Sequence, residues 1–263
     1  MSKHSALDTF GRSGNPAIRS SAFNSSASAG SEKMTLDGAV NKTSIMLAIL
    51  ISTAAISWNF PSPFIVMVSY IGIFAAGIAS VATFGFWMPF IGFIISPRPY
   101  LAPKTWLVFA FGEGFFIGLI SLTFETMFPG IVLEAVSLTF CVAATLLFLY
   151  KSGLVKPSQN FVLIICSATF GVMLFYLGIF IYSLVTGVSP EIFSGNSNFS
   201  IGLSLLIVGL AALNLVLDFD IIEQSAERGA PKYMEYFGAM ALVTTLVWLY
   251  IEILRLLAKL RSR

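Results

Sequence analysis

The sequence predicts an all-α integral membrane protein, a bundle of seven helices, and three observations predict it. The chain is 57% hydrophobic and only 11% charged, against roughly 25% charged in a soluble domain. It divides into seven apolar runs, most of them near the ~20 helical residues that a hydrocarbon core of about 30 Å requires. The runs also lack the alternation of apolar and polar residues that marks a barrel strand, so helices must satisfy the backbone within lipid.

Residues 1 to 42 come first and read differently, as SALDTFGRSGNPAIRSSAFNSSASAGSEKM and its flanks are rich in Ser, Gly, Ala and Asn. Such a stretch buries too little apolar area to offset its chain entropy, which predicts a polar, disordered cytoplasmic tail followed by a helical domain over 43–263. The tail lacks the compact apolar region of a secretory signal peptide, so it is expected to stay on the mature protein while the first membrane segment does the targeting. That segment runs from about Thr43 to Phe60 and ends at PSP. The second covers Phe64 to Ile95, and as one helix it would be ~48 Å long, so it is tilted, kinked near Gly85 or Pro89, or broken. The third spans Pro103 to Phe124, the fourth Gly130 to Tyr150, the fifth Phe161 to Thr186, the sixth Phe199 to Ile222 and the seventh Tyr233 to Leu260. No internal repeat stands out.

Lys and Arg set the orientation, because cytoplasmic loops carry their excess. The tail holds Lys3, Arg12, Arg19, Lys33 and Lys42; the breaks after the second, fourth and sixth segments hold Arg98 and Lys104, Lys151 and Lys156, and Arg228 and Lys232. The breaks after the first, third and fifth segments, NFPSP, ETMFPG and TGVSPEIFSGNSN, hold none. Six helices thus obey the rule with the N-terminus in the cytoplasm, as in a bacterial inner membrane. The seventh does not, since Arg255, Lys259, Arg261 and Arg263 follow or end it. It either crosses against the rule or enters and returns.

Charges at depth are the functional candidates, since an ionisable group at the bilayer centre costs about 2.5–3.5 kcal/mol on insertion scales. Glu113, Glu134, Asp218, Asp220 and Glu252 qualify, and no Lys or Arg lies in the middle of a segment to pair with them. Carboxylates so placed either hold protons or hold a cation, and oxygen-only ligands suit H⁺, Ca²⁺ or Mg²⁺. Asp218 and Asp220 point about 200° apart on a helix, so one faces inward at most. Asn214, four residues before Asp218, offers it polar company. That makes Asp218 the inward candidate and leaves Asp220, with Glu223 and Glu227, at the cytoplasmic interface. Glu113 lies beside Gly114 and Gly118, a small-xxx-small patch for close helix approach, which makes it a protonated acid in that contact or part of an ion path. Glu134 falls near the outer headgroups and reads as structural. Glu252 shares a face with Trp248 and Thr245 and has an i,i+3 partner in Arg255.

Several classes are excluded. The chain has no HExxH, GxSxG, P-loop or CxxC, and its single histidine, His4, sits in the tail, so neither catalysis nor a resident metal is expected. Cys141 and Cys166 lie in apolar runs and do not indicate a disulfide framework. A net charge of +2 indicates no nucleic acid partner.

Seven apolar segments, the LDFDIIEQSAERG break and LYIEILRLLAKL in the last segment resemble the Bax inhibitor-1 family of multi-pass membrane proteins (YccA-like, TMBIM). SPRPYLAP followed by EGFFIGLIS resembles its bacterial YccA-like branch. The likeness covers residues 36 to 260. It implies six helices around a central C-terminal seventh and a pH-sensitive Ca²⁺ leak in which an aspartate ending the sixth helix pairs with one on the seventh. The first aspartate maps to Asp218; the second maps to Glu252 in LYIEIL, with Glu235 as its rival. Bacterial relatives are also linked to restraint of a membrane-bound AAA protease, which would make residues 1 to 40 a contact segment and the acids merely structural. A proton-coupled transporter is a third possibility for a bundle with buried acids.

Overall fold

The structure, a computed structural model, describes residues 32–88, 93–95, 97–188, 190 and 195–263. Among them seven helices are long and apolar enough to cross a membrane: α1 (Leu36–Asn59), α2 (Pro63–Phe84), α3 (Ala102–Met127), α4 (Ile131–Lys151), α5 (Gln159–Thr186), α6 (Asn198–Glu227) and α7 (Tyr233–Arg261). The all-α membrane architecture expected from composition is therefore present. It carries one small addition, two three-residue strands between α2 and α3.

The start of α1 corrects the expected boundary. Thr35 is its N-cap, with the side chain accepting the Gly38 N–H at 3.0 Å and Asp37 in the first turn, the arrangement that satisfies a free helix terminus. Asp37, Asn41 and Lys42 made residues 36–42 look like tail, although they form the first two turns of the helix. The residues just before it are also placed. Lys33 bridges to Pro231, the Met34 N–H donates to the Ala230 carbonyl at 2.7 Å, and the Lys232 N–H donates to the Glu32 carbonyl at 2.9 Å. Met34 is buried. The disorder expected for residues 1–31 falls outside the described residues.

Of the three fates open to the long second run, breakage is the one observed. α2 stops at Phe84, and Gly85 takes φ 77°, a conformation that glycine adopts without a Cβ clash. Strands β1 (Phe86–Met88) and β2 (Phe93–Ile95) then pair antiparallel, with Phe86 opposite Ile95 and Met88 opposite Phe93. Pro89, the other expected kink, lies outside the described residues. A 3₁₀ turn over Pro99–Leu101 leads into α3, and the Arg98 N–H donates to the Thr83 carbonyl at 2.9 Å, tying the chain back to the end of α2.

The helices fall into two compact units. The first holds the described residues up to Thr123 together with Asp218–Thr244. Its packing rests on close backbone approach. A Cβ on Gly114 would strike Thr53 and Leu50 of α1, one on Gly118 would strike Ser57 and Ala54, and one on Gly112 would meet Gly72 of α2. The small-residue patch of the sequence is therefore a real helix contact. Phe84 meets Phe237 edge-on at 5.0 Å, and Thr83 and Thr105 share a hydrogen bond of 2.8 Å. The second unit holds Phe124–Leu217 and Thr245–Arg263. There the Glu125 carboxylate caps α4, accepting the N–H groups of Gly130 at 2.6 Å and Val132 at 3.2 Å.

α7 bears on the alternative left open for the last segment. It is one uninterrupted helix of 29 residues, ~43 Å long, so it has the length to cross and does not turn back. It is also the most buried span, with 67% of its apolar window covered against 17–50% for the others.

Candidate functional site

The acids of α6 divide as their spacing requires. Asp218 is fully buried, and so are Asn214 and the intervening Leu215, Val216 and Leu217. Asp220, on the opposite side of the helix, is half-exposed and accepts the Gln224 amide at 2.6 Å; Glu223 is half-exposed and Glu227 exposed. Asn214 donates to the Thr169 hydroxyl of α5 at 2.8 Å and to the Leu210 carbonyl at 2.9 Å. Its buried Oδ1 has no hydrogen-bond donor among the described residues, an arrangement that costs about 1–3 kcal/mol.

The two acids of α7 occupy different depths, seventeen residues or ~25 Å apart on one helix. Glu235, in the first turn and 3% exposed, accepts the Thr35 N–H at 3.0 Å and the Thr35 hydroxyl at 3.1 Å. It therefore sits on the N-terminus of α1, where unsatisfied N–H groups and the helix dipole favour a carboxylate. Ile222 of α6 packs on Gly238 of α7, where an added Cβ would come within 3.1 Å. This contact fixes the antiparallel register, putting Asp218 level with Leu242 and Glu235 level with Ser225. Asp218 and Glu235 are thus offset by ~10 Å along the axis.

Glu252, 2% exposed, is held by α5 and by its own helix. The Tyr176 hydroxyl donates to its Oε1 at 2.5 Å, and Arg255 donates to its two oxygens at 3.0 and 3.1 Å. Arg255 also donates to the Tyr176 oxygen at 2.9 Å and stands 5.5 Å from that ring's centroid. The i,i+3 pair expected for Glu252 is present. Glu113 is half-exposed between Gly112 and Gly114. Glu134 is exposed and bonds Arg261 at 2.6 Å, the structural role expected of it. No group of three or more His, Cys, Asp or Glu able to hold a metal occurs among the described residues.

A bundle of seven spanning helices with a buried acid near the end of the sixth is the arrangement that the sequence resemblance implies. The model of the family described as Bax inhibitor 1 like matches residues 15–262. The chain belongs to that family. Neither the curated proteins nor the solved structures gave a match.

In this Bax inhibitor 1 like chain, sequence reasoning missed the partners more than the acids. Tyr176 and Thr35 lie far along the chain from Glu252 and Glu235, and nothing local to either marks it. Lys259 was legible in principle. It is buried, its ammonium donating to the Ser204 hydroxyl at 2.8 Å and the Ser200 carbonyl at 3.5 Å. Glu252, Arg255 and Lys259 follow at intervals of three and four, which puts them on one helix face.

Proposed function

We propose that this protein is a pH-sensitive cation leak, passing Ca²⁺, in which protonation of Asp218 changes how α7 packs. Its N-terminus lies in the cytoplasm of a bacterial inner membrane, and it works without catalysis or a resident cofactor. The observation that carries the proposal is the complete burial of Asp218 within a spanning helix, four residues from the equally buried Asn214. A carboxylate in such a place is costly when charged and becomes comfortable by taking up a proton or a cation. Family membership supports the reading as a leak, and the buried acid supports the reading as a pH sensor.

The partner of Asp218 in the proposed latch is Glu252 or Glu235. The two make different predictions, because Glu235 serves the start of α1 and Glu252 serves Tyr176 and Arg255. The test is Ca²⁺ flux into proteoliposomes, stepped through pH, for the wild type beside Asp218→Asn, Glu235→Gln and Glu252→Gln. Asp218→Asn is expected to abolish the pH midpoint or move it by a unit or more, and the latch partner to be the glutamate whose amide does the same. A midpoint and flux unchanged in Asp218→Asn would overturn the reading. The competing role, restraint of a membrane-bound AAA protease through residues 1 to 40, rests on a segment that lies largely outside the described residues. A proton-coupled transporter would show in the same assay as Ca²⁺-independent proton movement.

A further inference from the structure

The exposed side of α2 is not a smooth apolar surface. Tyr70, Phe74, Ile78 and Ala82 follow one another at intervals of four, and Ile73, Gly77 and Val81 form the parallel row beside them, so all seven lie on one helix face. Together with Arg98 they line a groove of about 940 Å³, at the upper end of the roughly 300–1,000 Å³ usual for ligand sites. Tyr70, Phe74 and Ile78 stand up from the helix, being 65%, 73% and 58% exposed. Gly77 makes the notch between them, for nothing lies within 4 Å of where its Cβ would be.

We infer that this groove is a binding site for the acyl chain and phosphate headgroup of an anionic phospholipid. Three features select that occupant. From Tyr70 to Ala82 the groove runs ~18 Å, close to the half-thickness, about 15 Å, of a hydrocarbon core. Its walls are apolar apart from the Tyr70 hydroxyl and, at the other end, Arg98, which is held against the end of α2 by its backbone bond to Thr83. Arg98 forms no salt bridge among the described residues, and a guanidinium matches a phosphate in charge and geometry. A chain laid along α2 with its headgroup at Arg98 therefore meets apolar surface over its length and positive charge at its polar end, as basic sites at the cytoplasmic side of membrane proteins do.

Native mass spectrometry of the full chain in mild detergent tests this, with phosphatidylglycerol and phosphatidylcholine added in equal amounts. The wild type is expected to retain one phospholipid with a preference for phosphatidylglycerol. Arg98→Gln should reduce that preference by about fivefold, the effect of one basic residue at a membrane surface. Gly77→Leu puts a side chain into the notch at a position where an added Cβ meets nothing within 4 Å and favours the helix, so it should lower retention of both lipids while the melting temperature holds. Gly171→Leu, at a glycine of α5 equally open to its surroundings, should change neither. An undiminished preference in Arg98→Gln, undiminished retention in Gly77→Leu, or a Gly77→Leu effect on oligomeric mass in place of lipid would overturn the inference.

Discussion

Glu252 shows what a carboxylate needs in order to stay inside a bundle. Its two oxygens are covered by one guanidinium and one phenol, so its charge is matched at the place where it is buried. Removing one partner of such a pair strands the other, at a cost of about 3–5 kcal/mol, whereas replacing both by apolar groups is often close to neutral. Arg255→Met is accordingly expected to lower the unfolding midpoint in detergent, and Glu252→Met combined with Arg255→Met to restore most of the loss. A double variant as unstable as the single one would show that Tyr176 and not the charge is the dominant partner. Glu235 answers the same need differently, with a helix terminus in place of a cation. The nearby Glu32 and Lys232 are exposed and give a pH dependence of small size. Their hydrogen bond, and then their charges, hold the Glu32 carboxyl below its usual range and the Lys232 ammonium above its own, Lys232 also facing Glu235 and Tyr236. The Glu32 contribution is present above the ordinary glutamate pKa, about 4.3, and disappears as pH falls through its depressed value. The Lys232 contribution is present below about 10.4 and disappears as pH rises through its raised value. Amide exchange at Met34, corrected for intrinsic rate, should therefore quicken as pH falls below about 4.3 and again as it rises above about 10.4, and less so in high salt. The acids themselves were legible in the sequence because charge in an apolar run is rare; their partners were not, because Thr35 and Tyr176 are ordinary residues that only the fold brings near.

Helices are where the sequence spoke most clearly, and the places where it did not have local causes. Boundaries from α3 to α7 lie within a few residues of those expected from hydropathy, for lipid demands a continuous apolar run and permits few alternatives. The start of α1 was missed because a cap is a matter of hydrogen bonds and not of hydropathy: Thr35 satisfies the terminus although the next turn is polar. The end of α2 was ambiguous because β1 and β2 are as apolar as the helix before them, and only the glycine conformation marks the change. The small-residue patch of α3, by contrast, was legible and is shown to pack. Leu at Gly118 would drive its side chain into Ser57 and the Ala54 backbone, and overpacking of this kind typically costs about 1–3 kcal/mol. Gly118→Leu and Gly114→Leu should thus destabilise the protein in thermal melts while Gly77→Leu and Gly171→Leu leave it unchanged. Equal melts for all four would mean that α1 and α3 separate without cost.

At the scale of the whole molecule, the charges collect at two ends of the helices. Residues 32–35 and the break between α6 and α7 are joined by backbone bonds and by the ion pair of Lys232 with Glu32. At the far end of α7, Arg261 donates to the Pro129 carbonyl at 2.7 Å and to Glu134, Asn196 donates to the Ser262 carbonyl at 2.7 Å, and Arg263 bonds Asn198. The C-terminus therefore lies with the α3–α4 and α5–α6 breaks, two of the three that carry no Lys or Arg of their own. With the N-terminus in the cytoplasm as proposed, α7 crosses against the positive-inside rule, and these contacts account for it. That rule concerns basic residues free to choose a side during insertion, whereas these are bound to carbonyls, amides and a carboxylate of segments already oriented by six helices. With the N-terminus in the cytoplasm as proposed, Arg228 and Ser262 face opposite compartments. The check is labelling of single cysteines by a membrane-impermeant maleimide, in a background where Cys141 and Cys166 are replaced by alanine. Ser262→Cys should react in intact cells and Arg228→Cys only after the membrane is opened. Reaction of both from the same side would mean that α7 does not cross. If instead only the sides were exchanged, the seven crossings would stand and the proposed orientation would fall.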